Sequence, residues 1–172
     1  QLLYLSQRAR PDIHTAVSFL SSRLLRPDED DYKKLTRVVK YLAGTIDMPL
    51  ILSADKSGQI RWWIDASFAV HDDMKSHTGG TMSMGRGSIY STSLKQKLVT
   101  RSSTEAEIVG VHDVVPQLIW TGHFLKEQGF NVTETILYQD NTSSILIEKN
   151  GRSSSTKRTR HMNIRYFYIK DQ

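Results

Sequence analysis

Three carboxylates occur in the order Asp, Glu, Asp, each in a setting where a lone acid is costly. Asp65 lies within the apolar run 60–70, Glu107 lies one turn into a helix that opens at Ser102, and Asp140 ends a second apolar run, 135–140. A carboxylate within or at the end of a strand is expensive there unless it is paired or binds a cation. Three converging acids neutralise much of the charge of the divalent metals used in phosphoryl transfer. The order therefore predicts a metal-dependent nuclease site.

Each of these acids also has a purely structural interpretation. Asp65 suits a frayed strand end, although the apolar residues on both sides disfavour that position. Asp140 begins a sequence rich in capping residues, so a role as helix N-cap is an equal alternative. Glu107 is spaced from Thr104 as in a capping box, and Glu105 competes with it for any functional role. Position on the helix does not choose between the two glutamates.

Composition restricts the class of protein. The 172 residues suit one domain, or one domain with an appendage, and 38% hydrophobic residues permit a packed core. The absence of cysteine excludes disulfides and thiolate metal sites. The apolar stretches are shorter than a membrane span and no signal peptide is visible, so no membrane partner is expected. The net charge of +5 favours a polyanionic partner, and a start at Gln1 rather than Met indicates a segment of something longer.

Apolar periodicity divides the chain into a helical part, 1–48, and an α/β part, 49–172. A helical hairpin is predicted over 12–25 and 28–44, with Pro27 ending the first helix and Gly44 the second. The second part is expected to begin with strands 50–53 and 59–70, followed by a hairpin of 79–84 and 88–93 that turns at the glycines of 85–87. A helix over 102–129 comes next, and Pro116 should bend or split it. Strand 134–139 and a helix over 141–149 follow. The fold class is α/β with a mixed sheet.

The C-terminal region is basic and aromatic. Its cations, expected to contact nucleic-acid phosphates, are Arg152, Lys157, Arg158, Arg160 and Arg165. A solvated loop is the alternative. The aromatic stretch 162–169 is predicted to be a helix that packs into the core. His161 could serve as a ligand, a proton shuttle or a packed polar residue, and its surroundings in the sequence do not choose. The three tryptophans, Trp62, Trp63 and Trp120, are assigned to the core.

Five motifs together resemble the ribonuclease H domain of copia-type LTR retrotransposon polyproteins. They are Ile64-Asp65-Ala66-Ser67, Lys75-Ser76, Ser102-Ser-Thr-Glu-Ala-Glu107, Tyr138-Gln-Asp-Asn141 and Thr159-Arg-His-Met-Asn-Ile-Arg-Tyr166. The third motif is the most specific, and matching it places the catalytic glutamate at Glu107 rather than Glu105. The segment 10–45 is similar to the connection that joins the reverse transcriptase to this domain, so the resemblance covers nearly the whole chain.

The resemblance implies a ribonuclease H-like mixed sheet flanked by helices, and hydrolysis of the RNA strand of RNA–DNA hybrids during reverse transcription. Two Mg²⁺ ions, for which Mn²⁺ can substitute, would be held with Asp65 bridging them and with Glu107 and Asp140 each holding one side. Asn141 and His161 are the accessory residues. The implied partners are the hybrid and the reverse transcriptase domain of the same polyprotein, in a cytoplasmic virus-like particle.

The chain departs from the family pattern at two positions. Asn163 stands where the last motif usually has an acid, and the usual tryptophan of the third strand is replaced near Ser91. In ribonuclease H folds a fourth metal-binding aspartate lies on a final helix, after one more strand. The chain stops at Gln172, so both elements are expected to be missing and the fourth acid with them. Weak cleavage and low stability are therefore expected of the isolated chain.

Two other functions remain open. Integrases and transposases share the sheet topology, but their usual order of acids is Asp, Asp, Glu, whereas this chain has Asp65, Glu107 and Asp140. A catalytically silent module that binds the hybrid or braces the polymerase is the second alternative.

Overall fold

The computed structural model describes residues 1–150. The basic residues Arg152, Lys157, Arg158, Arg160 and Arg165, together with His161 and the aromatic stretch 162–169, lie outside the described residues. The helices are α1 (Leu2–Arg8), α2 (His14–Ser22), α3 (Glu29–Gly44), α4 (Ser103–Glu127) and α5 (Thr142–Asn150), with a 3-10 turn at Pro11–Ile13. The strands are β1 (Ser53–Ala54), β2 (Gln59–Ser67), β3 (His77–Ser83), β4 (Gly85–Arg86), β5 (Tyr90–Lys95) and β6 (Glu134–Tyr138).

The N-terminal helices pack on one another through their apolar stripes. Ile13, Val17 and Val38 are buried in one cluster, which leucines of α1, α2 and α3 complete. The start of α3 is fixed by a reciprocal cap: the carboxylate of Asp28 accepts a hydrogen bond from the Asp31 backbone N–H, and that of Asp31 accepts one from the Asp28 N–H. The predicted start of this helix in the acidic stretch is therefore confirmed.

Four strands form a mixed sheet in the order β5-β3-β2-β6. β2 pairs antiparallel with β3, β3 pairs antiparallel with β5, and β2 pairs parallel with β6. Along β2, buried and more exposed residues alternate, as expected for a strand with one face on a core. The buried face carries Ile60, Trp62 and Ile64, which pack with valines of α4 in the main hydrophobic cluster. The α/β class with a mixed sheet flanked by helices is confirmed.

Several predicted boundaries are wrong. The first predicted helix, α2 in the structure, ends at Ser22, well before Pro27. The preceding helix, α1, is not among the predicted elements. β2 ends at Ser67 rather than residue 70, because Ala69 takes a φ of 51°, which breaks the strand. Pro116 does not split α4, which runs unbroken through it. Proline removes one helical hydrogen bond, and the packing of the helix on the sheet offsets that loss.

The region around the glycines 85–87 is more than a hairpin turn. Gly85–Arg86 pairs antiparallel with Ser53–Ala54, so a two-stranded ribbon forms beside the main sheet. A side chain at Gly85 would collide with the carbonyl oxygen of Ser53, so this pairing requires glycine. The predicted strand 50–53 is wrong for its first three residues, because residues 50–52 lie outside any strand and are exposed. Among the described helices, none combines the length and the apolar character needed to cross a membrane.

Candidate metal centre

The carboxylates of Asp65, Glu107 and Asp140 converge at one edge of the sheet. One ligand atom from each lies within 4.8 Å of those of the other two. Asp65 and Asp140 are exposed, whereas the side chain of Glu107 is buried behind them. The cluster thus has an open side, from which a cation or a substrate can approach, and a closed side formed by α4.

The register of the two parallel strands explains why the aspartates meet. Trp63 of β2 pairs with Tyr138 of β6. Asp65 and Asp140 each follow this pair by two residues, so an extended backbone presents them on the same face at the carboxyl ends of both strands. In open α/β sheets this edge is the usual place for a site.

Small residues bring the third acid to the same edge. Gly110 lies one turn after Glu107, and a Cβ placed on it would contact Ala66 Cβ and Thr78 Cγ2 at 3.5 and 3.4 Å. Because neither Gly110 nor Ala66 projects a long side chain, α4 approaches β2 closely. The first turns of α4 therefore carry Glu107 up to the end of β2.

A buried glutamine fixes the position of this helix start. Gln96, which follows β5, is almost fully buried. Its Nε2 donates to Thr78 Oγ1 at 3.0 Å and to the carbonyl of Ala106 at 2.9 Å. Since a buried amide needs such partners, these bonds tie the first turn of α4 to β3. The sequence carries no recognisable signal for this role, because a lone glutamine after a strand is ordinarily a surface residue.

Glu105 and Glu107 have different partners. The backbone N–H of Glu105 donates to Ser102 Oγ at 3.1 Å, and its Oε2 accepts from the backbone N–H of Arg101 at 2.7 Å. Glu105 thus belongs to the cap of α4 and lies outside the acidic cluster. The Thr104–Glu107 capping box is not the cap that α4 uses, because its N-cap is Ser102.

Asp140 and Asn141 likewise divide two roles. Asn141 Oδ1 accepts a hydrogen bond from the backbone N–H of Ser144 at 3.0 Å, which makes Asn141 the cap of α5. The cap alternative for Asp140 is therefore wrong, and its carboxylate joins the cluster instead. Among the contacts of the described residues, this cap is the only role of Asn141.

The electrostatics at Glu107 suit a cation. Burial raises the pKa of Glu107, and the nearby charges of Asp65 and Asp140 raise it further. Hydrogen bonds from Gln139 Nε2, 3.4 Å from Glu107 Oε2, and from the backbone of Ala66 oppose this rise. A divalent cation among the three acids would offset their repulsion and the loss of hydration at Glu107.

A fourth acid, Glu148, lies nearby and was missed by the sequence reasoning. It is on α5, which packs on the start of α4 through a hydrogen bond from Ser144 Oγ to the Thr104 carbonyl at 3.3 Å. Its Oε1 is buried and has no hydrogen-bond partner among the described residues. Burial, helped by the charge of Glu107, raises the pKa of Glu148 to about 7. The sequence offers no signal, because an acid near a helix C-terminus usually faces solvent.

Two aromatic side chains stand beside the cluster. Trp63 and Tyr138 stack with ring centroids 5.2 Å apart and planes 15° apart, and both are about two-fifths exposed, at 41% and 42%. Trp62 is fully buried as predicted, but the assignment of Trp63 to the core is wrong. Trp120 is also exposed, at 57%, and stacks on Phe124. Alternation along β2 was a usable signal, because Trp62 and Trp63 must face opposite sides of the sheet.

The donor set fits a hard divalent cation. Mg²⁺ prefers carboxylate oxygens and water, and the cluster offers three carboxylates with one open side. The two exposed aspartates and the buried Glu107 are the residues that would hold it. The described residues contain no other cluster of three or more histidine, aspartate or glutamate side chains with this geometry.

Three curated relatives, all polyproteins of plant transposons, match nearly the whole chain. The chain is 32% identical over 171 residues to the retrovirus-related Pol polyprotein from transposon TNT 1-94 of Nicotiana tabacum. It is 34% identical over 165 residues to each of the corresponding polyproteins from transposons RE2 and RE1 of Arabidopsis thaliana. These alignments cover 95 to 99% of the chain but 11 to 13% of the relatives, so the chain spans roughly an eighth of their length. No protein-family profile matches it. Over nearly its whole length, the chain is thus homologous to one segment of retrovirus-related Pol polyproteins from plant transposons.

Proposed function

We propose that this chain is a ribonuclease H-like domain that hydrolyses the RNA strand of RNA–DNA hybrids with two divalent metal ions, as part of a retrotransposon Pol polyprotein. The observation that carries the proposal is the convergence of Asp65, Glu107 and Asp140 within 4.8 Å. Three acids from a central strand, a helix start and a parallel strand end give the oxygen-rich site that phosphoryl transfer needs.

The topology supports the same assignment. The sheet order β5-β3-β2-β6, antiparallel except for β2 with β6, is compatible with a ribonuclease H-like fold. Residues 1–48 would form the helical connection from the reverse transcriptase, and 49–172 the nuclease domain. The homology to segments of retrovirus-related Pol polyproteins fits a partner domain in the same polyprotein and action in a virus-like particle.

The side chains have distinct tasks in this mechanism. Asp65, Glu107 and Asp140 would together hold the two cations, and the resemblance implies that Asp65 is shared between them. Gln139 holds Glu107 in place through its Nε2. When bound, Mg²⁺ or Mn²⁺ supplies an activated water and stabilises the charge on the leaving oxygen. Selection of RNA would depend on contacts to 2′-hydroxyls, which DNA lacks.

The remaining predicted contacts belong to this proposal as well. The cations Arg152, Lys157, Arg158, Arg160 and Arg165 would neutralise phosphates of the hybrid, consistent with the net charge of +5. His161 and Asn141 are the proposed accessory residues. For Asn141 this would come in addition to its cap on α5.

The test is cleavage of an end-labelled RNA–DNA hybrid in Mg²⁺ or Mn²⁺ by the chain placed within a longer segment of a Pol polyprotein, because weak cleavage is expected of the chain alone. Asp65→Asn should abolish cleavage, since it removes the shared ligand while preserving shape. Asp47→Asn, at an exposed position between α3 and β1, is the charge-matched control and should cleave like the unaltered chain. Equal cleavage by the Asp65 and Asp47 variants would contradict the proposal.

A catalytically silent module that binds the hybrid or braces the polymerase is the second candidate, because the cluster holds three carboxylates among the described residues, whereas the resemblance implies four. Such a module would bind the hybrid and never cleave it in either metal. Binding without cleavage, combined with absence of metal binding at the three acids, would favour this alternative.

A further inference from the structure

Helix α5 packs on the start of α4, the helix that supplies Glu107 to the metal centre. Ser144 of α5 is fully buried, and its Oγ donates to the carbonyl of Thr104, in the first turn of α4, at 3.3 Å. Glu148 follows Ser144 by four residues, and residues at this spacing share one face of a helix. The face of α5 that contacts the start of α4 therefore also carries Glu148.

Glu107 and Glu148 are neighbours across this contact between helices. Glu107 lies one turn after Thr104 on α4. Burial raises the pKa of Glu148 and the charge of Glu107 raises it further, so the two carboxylates are close enough to repel each other. Among the described residues, neither acid forms an ion pair with a lysine or an arginine. Two such acids are costly side by side unless a cation offsets their charges.

Two buried acceptor atoms next to Glu107 have no hydrogen-bond partner among the described residues. One is Oε1 of Glu148 and the other is Oε1 of Gln139. The Gln139 side chain is held beside Glu107, because its Nε2 donates to Glu107 Oε2 at 3.4 Å. Buried oxygens are nearly always paired with a donor or a cation. A water molecule would satisfy both acceptors, but only a cation would also offset the charges of Glu107 and Glu148.

We propose that Glu148 is a fourth carboxylate ligand of the metal centre and that it holds one of the two divalent cations together with Glu107. The proposal rests on the proposed function, which needs two cations. The ligand atoms that lie within 4.8 Å of one another come from Asp65, Glu107 and Asp140, so Glu148 adds its carboxylate beside Glu107 and outside that group. With the amide oxygen of Gln139, these acids offer the all-oxygen ligands that suit Mg²⁺ and Mn²⁺.

Calorimetric titration with Mn²⁺ counts the ions that the chain binds. The unaltered chain should bind two ions, and Glu148→Gln should lose one of them or bind it at least about tenfold more weakly. Glu127→Gln is the matched control, because Glu127 is an exposed glutamate at the C-terminal end of α4, as Glu148 is near that of α5. It should bind two ions like the unaltered chain. Equal binding by the Glu148 and Glu127 variants would overturn the proposal.

A charge-preserving variant separates coordination from a general attraction of cations. Glu148→Asp keeps the negative charge but withdraws the carboxylate by one methylene group. A ligand at this position should fail with the shorter side chain, whereas a charge that merely attracts cations should still act. Two ions bound by Glu148→Asp with the affinities of the unaltered chain would therefore overturn coordination by Glu148.

Electron paramagnetic resonance of bound Mn²⁺ gives a second readout, which needs no variant. Two ions about 4 Å apart are magnetically coupled, so the saturated, unaltered chain should give the spectrum of a coupled pair. In Glu148→Gln the spectrum of isolated Mn²⁺ should replace it. A spectrum of isolated Mn²⁺ alone in the saturated, unaltered chain would overturn the proposal, even if the Glu148 variants fail to fold.

The outcomes separate this ligand from the metal centre itself. If Asp65→Asn loses Mn²⁺ affinity while Glu148→Gln binds two ions like the unaltered chain, the metal centre stands and Glu148 is not a ligand. If Asp65→Asn binds Mn²⁺ like the unaltered chain, the metal centre and the proposed function are wrong, and the role of Glu148 falls with them. Loss of one ion from both Glu148 variants, but not from Glu127→Gln, supports the fourth ligand.

Discussion

Glu105 and Glu107 lie two residues apart at the start of α4, and only Glu107 reaches the acidic cluster, while the Glu105 carboxylate closes the helix cap. Glu105→Ala should therefore lower the free energy of unfolding by about 1 kcal/mol through the lost cap and leave metal affinity unchanged. Glu107→Gln should lower the metal affinity, because it removes a buried ligand, and it should leave the cap of α4 intact. Denaturation with and without Mn²⁺ distinguishes them, and a metal response that survives in Glu107→Gln but disappears in Glu105→Ala would reverse the assignment.

Glu148 should make the protein more stable in mild acid. Because the pKa of Glu148 is raised to about 7, the folded state holds a proton that the unfolded state releases above its ordinary value near 4.5. The resulting destabilisation is complete above pH 7 and disappears as the pH falls toward 4.5. Glu148→Gln should stabilise the fold at pH 8 by up to about 3 kcal/mol and have little effect at pH 4.5. Urea denaturation at both pH values in EDTA tests this, and an equal effect at both would refute the raised pKa.

Three histidines should make the protein less stable in mild acid, which is opposite to the effect of Glu148. Burial lowers the pKa of His14, His71 and His77, so the unfolded state binds protons more readily than the folded one. Their contribution to stability is complete above pH 6.5 and is lost as the pH falls below it. His71 Nε2 and His77 Nδ1 are 3.0 Å apart, and protonation of both rings would remove the acceptor from this bond.

The measurement uses a Glu148→Gln background, so that the opposing effect of that acid is absent. The melting temperature should fall between pH 7.5 and 5.5, and His71→Asn should reduce the fall. A fall that is unaltered in the variant would show that other groups cause it.

A small residue at position 110 should be required for the metal centre through packing alone. A Cβ at this position meets Ala66 and Thr78 at ordinary contact distances of about 3.5 Å, so Gly110→Ala should be tolerated, whereas the branched side chain of Gly110→Val would push α4 from the sheet. Gly122→Val is the matched control, because Gly122 on the same helix has only Thr135 Oγ1 within 4 Å, at 3.9 Å. Mn²⁺ affinity should fall in Gly110→Val and not in the control. Equal affinities would show that close approach at Gly110 is not needed.

Much of the fold could be predicted from the sequence because its elements have strong local signals. Each of these signals depends on residues close together in the sequence. Examples are the apolar period of α4, the capping acids of α3 and the alternation of β2. The ribbon between Ser53–Ala54 and Gly85–Arg86 could not be predicted, since it depends on a non-local pairing that only a glycine permits. Of the two effects expected of Pro116, a split of α4 does not occur, because tertiary packing outweighs the local cost of the proline.

The candidate site was predictable to a similar extent. The three acids could be named because an acid among apolar residues is unusual, and the resemblance chose Glu107 over Glu105. Gln96, Gln139 and Glu148 could not be found, because their roles arise from contacts between elements distant in the chain. Trp63 was misassigned by composition, although its place beside Trp62 on a strand required one of the two rings to face away from the core.

The most direct test of the account is calorimetric titration of the chain with Mn²⁺, comparing the unaltered protein with Asp65→Asn and with the charge-matched Asp47→Asn. Loss of even an outer-shell partner commonly costs about 10- to 100-fold in metal affinity, so loss of one of the three carboxylates should cost at least that. The unaltered chain and the Asp47 variant should bind Mn²⁺ alike, and Asp65→Asn should bind at least about tenfold more weakly. Equal Mn²⁺ affinity in all three proteins would contradict a metal centre formed by Asp65, Glu107 and Asp140.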